Sequence, residues 1–238
     1  SMIHSMEWDV YSENLPFGQS WGRRYWLNHV RAIYNESHHL MTPSDSTQRA
    51  LLELGFTSPI VTTPLGVDCT LFHPPTDERR MSLRRGQGLE PETPVIGYLG
   101  RFGKEKSLTT LLDAFERVTR EHRATLLLVG GTAEDLSIST LPDHVRVVGP
   151  TKQANLFFAM MDIFVLPSLT ESFPLSILEA MATGVTPVST PVGAVPSYLT
   201  SETNGLLFEP KDADALEDHL TALLANSDLR AQLGSAAR

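Results

Sequence analysis

The chain has 238 residues, of which 41% are hydrophobic and 20% charged, a balance that is typical of a globular core and excludes a disordered or fibrous protein. Its formal charge of −9 argues against nucleic acid or an anionic membrane as the main partner. A single cysteine, Cys69, excludes an intrachain disulfide and a thiolate metal cluster and favours a reducing compartment, so we expect a cytoplasmic protein. We expect Cys69 itself to be a small buried side chain rather than a nucleophile.

Short helices and strands are predicted in the first 70 residues, before a proline-rich connection. Aromatic residues are frequent at the beginning of this part. The sequence contains no stretch of about 18 consecutive apolar residues, so no membrane span is predicted. We expect any contact with a membrane to be peripheral and to involve these first 70 residues. Prolines in Phe72–Pro75 predict a linker. The predicted elements before it are a helix over 21–35, a strand over 38–41, a turn with an N-cap at 43–45, a helix over 47–54 ended by Gly55, and a strand over 60–63.

After a polar, basic connection around residues 79–85, short apolar runs alternate with helical stretches. This alternation predicts βαβ units and a doubly wound parallel sheet. Strands are predicted near 95–99, 125–129, 145–148, 163–166, 186–189 and 205–208, and helices near 107–121, 153–161, 174–183, 212–225 and from 228 onward.

One stretch of this sheet predicts an anion site. The strand Ile163–Leu166 is followed by a sharp turn and a helix with Pro174 near its first position, where a missing N–H costs nothing. The free amides of Leu175, Ser176 and Ile177 and the positive end of the helix dipole favour an anion at the carboxyl end of the strand.

Glu179 lies inside that helix, among apolar neighbours that predict burial. A buried carboxylate needs hydrogen-bond donors, and two vicinal sugar hydroxyls are one source of them. An arginine or water at a helix edge is the other source, and the residues alone leave both open.

A second candidate anion site follows the first strand of the sheet. Gly100 is followed by Arg101, and two lysines, Lys104 and Lys106, come just before a helix that starts at Ser107. Cations at a helix amino terminus oppose the dipole, and a bound anion between them removes that conflict. The alternative is a solvated basic loop.

Glycines end two further strands. Gly130 follows the strand over 125–129, where a ligand could approach the backbone closely, although a tight turn explains it equally well. Gly149 and Thr151 occupy the corresponding place after the strand over 145–148.

Two motifs together resemble the GT-B glycosyltransferases, specifically the large retaining family 4. Glu171-x7-Glu179, followed by Ala-Met-Ala-Thr-Gly, is similar to the E-x7-E segment of that family, and Arg101-x4-Lys106 is similar to its GR-x4-K motif. The chain differs in having Pro174 where many members have glycine. Passages resembling "PS…GVD…F-x-P" and G-G-[IV]-P occur at 43–74 and 193–196.

The resemblance implies a role for each matched residue. Glu171 lies by the donor sugar, Glu179 holds the ribose, and Arg101 and Lys106 hold the diphosphate. The loop containing Gly149 and Thr151 contacts the nucleobase. We include among the donor-binding candidates Gly100, Gly130, Phe173, Leu175 and Ser176, and among the catalytic ones His4, which resembles a strand-end histidine of the family.

The implied protein transfers a sugar from a nucleoside-diphosphate-sugar, of UDP or GDP type, to a carbohydrate or lipid-linked acceptor with retention of configuration. No metal or other cofactor is expected. Residues 1–70 correspond to the truncated end of the acceptor-side domain and 71–238 to the donor-binding domain. Because the family's glycine-rich loop is absent, we expect this chain to be inactive alone. A GT-B epimerase or phosphorylase and a non-catalytic binding module stay open as alternatives.

Overall fold

The computed structural model describes residues 19–136 and 142–238. The chain divides into two compact units. The smaller contains the residues up to Leu65 together with Glu171–Phe173, and the larger contains Gly66–Thr170 and Pro174–Arg238. The assignment of the smaller unit to an acceptor-side domain stays a prediction.

Within the described residues, the smaller unit has two parallel strands and two helices. Ser44 caps its second helix, because its side chain accepts a 3.2 Å hydrogen bond from the amide of Thr47. Its buried core consists of Leu40, Leu51 and Phe56. The elements are α1 (Gln19–Tyr34), β1 (Leu40–Thr42), α2 (Asp45–Glu53) and β2 (Ile60–Thr62).

The larger unit is built on a six-stranded sheet in which every pairing is parallel, in the order β5-β4-β3-β6-β7-β8. The predicted doubly wound α/β sheet is therefore confirmed. Its strands are β3 (Val95–Leu99), β4 (Thr125–Val129), β5 (Val145–Val148), β6 (Ile163–Leu166), β7 (Thr186–Ser189) and β8 (Leu206–Leu207). Its helices are α3 (Asp77–Gly86), α4 (Leu108–Val118), α5 (Ala154–Phe158), α6 (Leu175–Ala182), α7 (Ala213–Ala225) and α8 (Ser227–Ala237).

The strand order reverses between β3 and β6. From β3 the chain adds β4 and β5 on one side, then returns to place β6 on the other side. Ligands of open α/β sheets bind at such a switch point, beyond the carboxyl ends of the strands. Two loops lie at this place: residues 100–106 after β3 and residues 167–170 after β6.

Helix α3 replaces the connection that we expected around residues 79–85. Thr76 caps it, since its hydroxyl accepts a hydrogen bond from the amide of Arg79 at 3.2 Å. Its buried residue is Arg84, whose guanidinium donates to the carbonyl of Met160 and to the carboxylate of Asp162. The buried position of this helix is therefore occupied by a charged side chain. A search for hydrophobic periodicity does not detect such a helix.

The expected burial of Cys69 is wrong, because its side chain is exposed. Cys69 lies in the segment between β2 and α3, outside any helix or strand that would carry it into a core. Within the described ranges, no helix has the length and apolar character needed to cross a membrane.

Candidate functional site

The loop after β3 presents the predicted cations at the switch point. The side chain of Arg101 is 81% exposed, Lys104 is exposed and Lys106 is half-buried. Lys104–Lys106 form a single 3-10 turn, and Ser107 then adopts a left-handed conformation (φ 48°) before α4 begins at Leu108. A non-glycine residue in this conformation is strained, so the surrounding contacts must hold it there.

Glu105 joins this loop to the loop after β6. Its carboxylate lies 3.4 Å from the guanidinium of Arg101, and its backbone carbonyl accepts a 2.7 Å hydrogen bond from the amide of Leu169. The segment that bears Arg101 is therefore fixed directly to the segment that leads toward α6.

The loop after β6 is also held from its other side, by hydroxyl groups near the end of β7. Thr190 Oγ1 donates to the carbonyl of Ser168 at 2.6 Å, and Ser189 Oγ donates to the carbonyl of Leu166 at 3.2 Å. Both hydroxyls are buried. Buried hydrogen bonds on two sides give this short loop a defined conformation.

Helix α6 begins at Leu175, with Pro174 as its N-cap. Proline offers no side-chain acceptor, and no side-chain cap is present at this helix start. The amides of Leu175, Ser176 and Ile177 belong to the first turn, where a helix has no internal acceptors for its N–H groups. With the helix dipole, they favour a bound anion at this end.

Glu179 is the fifth residue of the eight-residue α6 and is half-buried. Burial raises the pKa of the Glu179 carboxyl above its ordinary value. Among the residues that the structure describes, none donates a hydrogen bond to this carboxylate, so the arginine that we weighed as an alternative partner is not there. An acceptor held in this state is suited to a ligand that brings its own hydroxyl donors.

The glycine positions of the sheet edge differ in what surrounds them. Gly130 has φ 118°, and a side chain there would overlap the carbonyl of Gly100, so a contact within the protein explains this glycine. Around Gly149 there is open space. Thr151 accepts a 3.0 Å hydrogen bond from the amide of Gln153 at the entrance to α5. Donor binding by these residues stays a prediction.

The E-x7-E segment is divided between the two units. Glu171 and Phe173 group with the smaller unit, whereas Glu179 belongs to the larger one. Both Glu171 and Phe173 are half-buried and have further interactions of their own. His4 lies outside the described residues. The roles that the resemblance implies for these three residues stay predictions.

Sequence reasoning missed Glu105 as the bridge between the two loops. Its bridging group is the backbone carbonyl, so the residue type carries no signal of it. It also missed Thr190, whose hydroxyl contacts the loop after β6 only because β6 and β7 are neighbours in the sheet.

Residues 80–238, more than half of the chain, match the family described as glycosyl transferases group 1. The chain belongs to this family. It is 28% identical over 236 residues to sulfoquinovosyl transferase SQD2 of Arabidopsis thaliana, covering 96% of this chain and 46% of that protein. It is 33% identical over 162 residues to N-acetyl-alpha-D-glucosaminyl L-malate synthase of Bacillus anthracis, covering 66% and 42%. The chain thus spans less than half the length of these curated relatives.

A solved structure has the same fold. Sucrose-phosphate synthase from Thermosynechococcus elongatus superposes with a TM-score of 0.84 at 26% identity, over 99% of this chain and 61% of that one. The predicted GT-B type of α/β fold is therefore confirmed.

Proposed function

We propose that this chain binds a nucleoside-diphosphate-sugar at the switch point between β3 and β6 and belongs to a transferase that moves the sugar with retention of configuration. The observation that carries the proposal is the direct hydrogen bond between Glu105 and Leu169. It unites the loop with Arg101 and Lys106 and the loop that leads to the start of α6. The two segments for which we propose anion binding are therefore joined by a direct hydrogen bond.

In this proposal the cations and α6 act on the leaving group. As the bond between sugar and diphosphate breaks, negative charge grows on the diphosphate. Arg101, Lys106 and the amides at the start of α6 oppose that charge from fixed positions, and so they stabilise the transition state more than the bound donor. With these groups neutralising the phosphates, the proposed chemistry requires no metal ion, and donor binding should withstand a chelator.

Glu179 is proposed to accept hydrogen bonds from the two ribose hydroxyls. Its half-buried carboxylate lacks a donor within the described part of the chain, and a vicinal diol supplies two. The residue therefore selects for a nucleoside over a bare diphosphate.

The similar proteins named above are a sulfoquinovosyl transferase, an N-acetyl-alpha-D-glucosaminyl L-malate synthase and a sucrose-phosphate synthase. These names support sugar transfer as the activity of the whole protein, with a hydroxylated carbohydrate or lipid-linked acceptor. We propose a donor of the UDP or GDP type. Titration with UDP, GDP and ADP identifies which base the chain prefers.

The test is calorimetric titration of the chain with these nucleotides. Replacing Arg101 or Lys106 with alanine is expected to weaken binding of the preferred nucleotide by about 1.5–3 kcal/mol each, the range for a charge-assisted hydrogen bond. Lys104→Ala is the matched control, because this exposed lysine lies between them in the sequence and on the same 3-10 turn as Lys106. Equal losses for all three variants would show a diffuse basic loop and contradict the assignment.

A second measurement concerns the ribose. Glu179→Gln is expected to weaken nucleotide binding while leaving inorganic pyrophosphate binding nearly unchanged. If both ligands weaken alike, Glu179 serves the structure of α6 and the ribose assignment fails. Retention itself is tested on the whole enzyme, by determining the anomeric configuration of the product.

A further inference from the structure

Tyr98 has a buried hydroxyl that reaches the cation-bearing loop. The residue lies on β3 and its side chain is 0% exposed. Its hydroxyl donates a 2.7 Å hydrogen bond to the backbone carbonyl of Arg101, three residues further along the chain. The chain turns closely over this hydroxyl, since a side chain at Gly100 would come within 2.8 Å of it.

Three further contacts hold the same loop against the ends of the strands. The ring of Phe102 packs on the ring of Tyr98, with centroids 5.9 Å apart, and a side chain at Gly131 would overlap the Phe102 ring. Gly130 lies against the carbonyl of Gly100. The loop that follows β3 is therefore seated on the ends of β3 and β4 by its own backbone and by one aromatic ring.

These contacts hold the backbone of Arg101 but not its side chain. Its backbone is anchored, while its side chain is 81% exposed and has one ion pair, to Glu105. The ordering of a loop on binding costs free energy, and a loop that is already ordered avoids that cost.

We infer that Tyr98 is a positioning residue, whose hydroxyl sets the place from which the Arg101 guanidinium meets a nucleoside diphosphate. This inference rests on the proposed function. It goes further by assigning the affinity of the site partly to a buried strand residue that touches no ligand.

Tyr98→Phe separates the hydrogen bond from the packing. The variant keeps the ring that packs on Phe102. The carbonyl of Arg101 loses its hydrogen-bond donor, and water can replace that donor because the loop lies at the surface. We therefore expect the fold to persist, with a lowered midpoint of thermal unfolding. Tyr198→Phe is the matched control, because Tyr198 is a half-buried tyrosine of the same unit, after β7, with a buried hydroxyl.

The first experiment is a double-mutant cycle measured by calorimetry, with UDP, GDP or ADP, whichever binds, and with inorganic pyrophosphate as a second probe. Tyr98→Phe is expected to weaken binding of both probes about three- to tenfold in the unsubstituted chain and less than about twofold in the Arg101→Ala background. Tyr198→Phe is expected to change neither. Equal losses in both backgrounds would show a merely structural role and overturn the inference.

The second experiment needs no ligand. Amide hydrogen exchange of residues 101–106 is expected to accelerate about tenfold or more in Tyr98→Phe, while peptides covering β4 stay as protected as before. Unchanged exchange in this loop overturns the assignment of Tyr98, whatever the chain binds. If the unsubstituted chain binds neither nucleotide nor pyrophosphate, the proposed function fails, and the role of Tyr98 toward a diphosphate fails with it.

Discussion

Glu179 is placed where its carboxylate lowers the stability of the ligand-free protein. Burial raises its pKa, which means that the charged form is disfavoured in the folded state. No donor from the described part of the chain compensates for that burial. A group whose charged form is disfavoured by burial is a common feature of binding sites.

This conflict predicts a pH-dependent gain of stability in Glu179→Gln. The folded protein holds the Glu179 proton to a higher pH than the unfolded chain does. Between the ordinary pKa of 4.5 and the raised one, the unfolded state therefore binds fewer protons, and the free energy of unfolding falls as the pH rises. Thermal unfolding is expected to show a higher midpoint for Glu179→Gln than for the unsubstituted chain at pH 7, and nearly equal midpoints below the ordinary pKa.

Glu209→Gln is the control, because Glu209 is exposed and its carboxyl is already solvated. Its midpoint should follow that of the unsubstituted chain at every pH. A midpoint of Glu179→Gln that is lower at pH 7 would mean that the carboxylate stabilises the folded state, and the reading of Glu179 as an uncompensated acceptor would be wrong.

At the residue scale, the sequence indicates the charged residues of the candidate site more clearly than the residues that hold them in place. Arg101, Lys106 and Glu179 stand out because charges at a strand end or inside an apolar helix are unusual. The hydrogen bond from Tyr98 to the carbonyl of Arg101 has no such signal, because a buried tyrosine in an apolar strand is typical of any core. Its role depends on how the backbone turns after β3.

At the scale of elements, α3 is attached to the sheet by a buried ion pair. Arg84 donates to the carboxylate of Asp162 at 2.7 Å, and the amide of Val95, at the start of β3, donates to the same oxygen at 2.7 Å. The Arg84 side chain is 5% exposed. Three elements thus meet at one carboxylate before β6.

Asp162→Ala is predicted to be strongly destabilising. The substitution removes the carboxylate that neutralises the buried Arg84 guanidinium, which keeps its hydrogen bonds to the carbonyls of Met160 and Pro91. It also leaves the Val95 amide without its acceptor, so we expect a loss of about 3–5 kcal/mol in the free energy of unfolding. Denaturant titration measures it. Asp113→Ala, which breaks an exposed pair with Arg117, should change stability little. Similar effects of the two substitutions would contradict a structural role for the buried pair.

Two glycines that follow neighbouring strands, Gly130 and Gly149, test how tightly the loop after β3 is packed. Gly130 after β4 has φ 118° and lies against the Gly100 carbonyl, whereas Gly149 after β5 has open space around it. Gly130→Ala is expected to lower the free energy of unfolding by about 2 kcal/mol or more, from backbone strain and overlap. Gly149→Ala is expected to change it by less than about 0.5 kcal/mol. Equal effects in denaturant titrations would show that the loop after β3 can move to accommodate a side chain. That result would contradict the fixed position inferred for this loop.

The sheet was predictable from sequence because its central strands β3, β4 and β6 are apolar runs with almost every residue buried. The strands β3 to β7 all fall where the pattern places them. Helix α3 escaped the same reasoning. Its sequence, Asp-Glu-Arg-Arg-Met-Ser-Leu-Arg-Arg-Gly, is polar almost throughout. The charge distribution was the usable signal, since acidic residues occupy its first turn and arginines its last, as the helix dipole favours.

For the whole molecule, the two units differ greatly in their capacity to fold alone. The larger has a continuous buried core that includes all the strands from β3 to β8. The smaller has three buried hydrophobic residues, Leu40, Leu51 and Phe56, in its core among the described residues. The described part of the smaller unit therefore buries too few hydrophobic side chains to form a stable domain by itself.

We therefore predict that a fragment spanning residues 66–238 folds cooperatively and keeps nucleoside-diphosphate binding, whereas residues 19–65 alone show no cooperative transition. Arg101, Lys106 and Glu179 all belong to the larger unit, and that unit contains the complete six-stranded sheet. The measurements are denaturant unfolding followed by circular dichroism, and calorimetric titration of the fragment with the nucleotide that the full chain prefers. Affinities of fragment and full chain are expected to agree within about threefold, which is less than 1 kcal/mol. The fragment retains Glu171 and Phe173, which lie within residues 66–238. A fragment that folds with the same cooperativity and yet binds no nucleotide would show that residues before Gly66 supply essential donor contacts, and the assignment of donor binding to the larger unit would then be wrong.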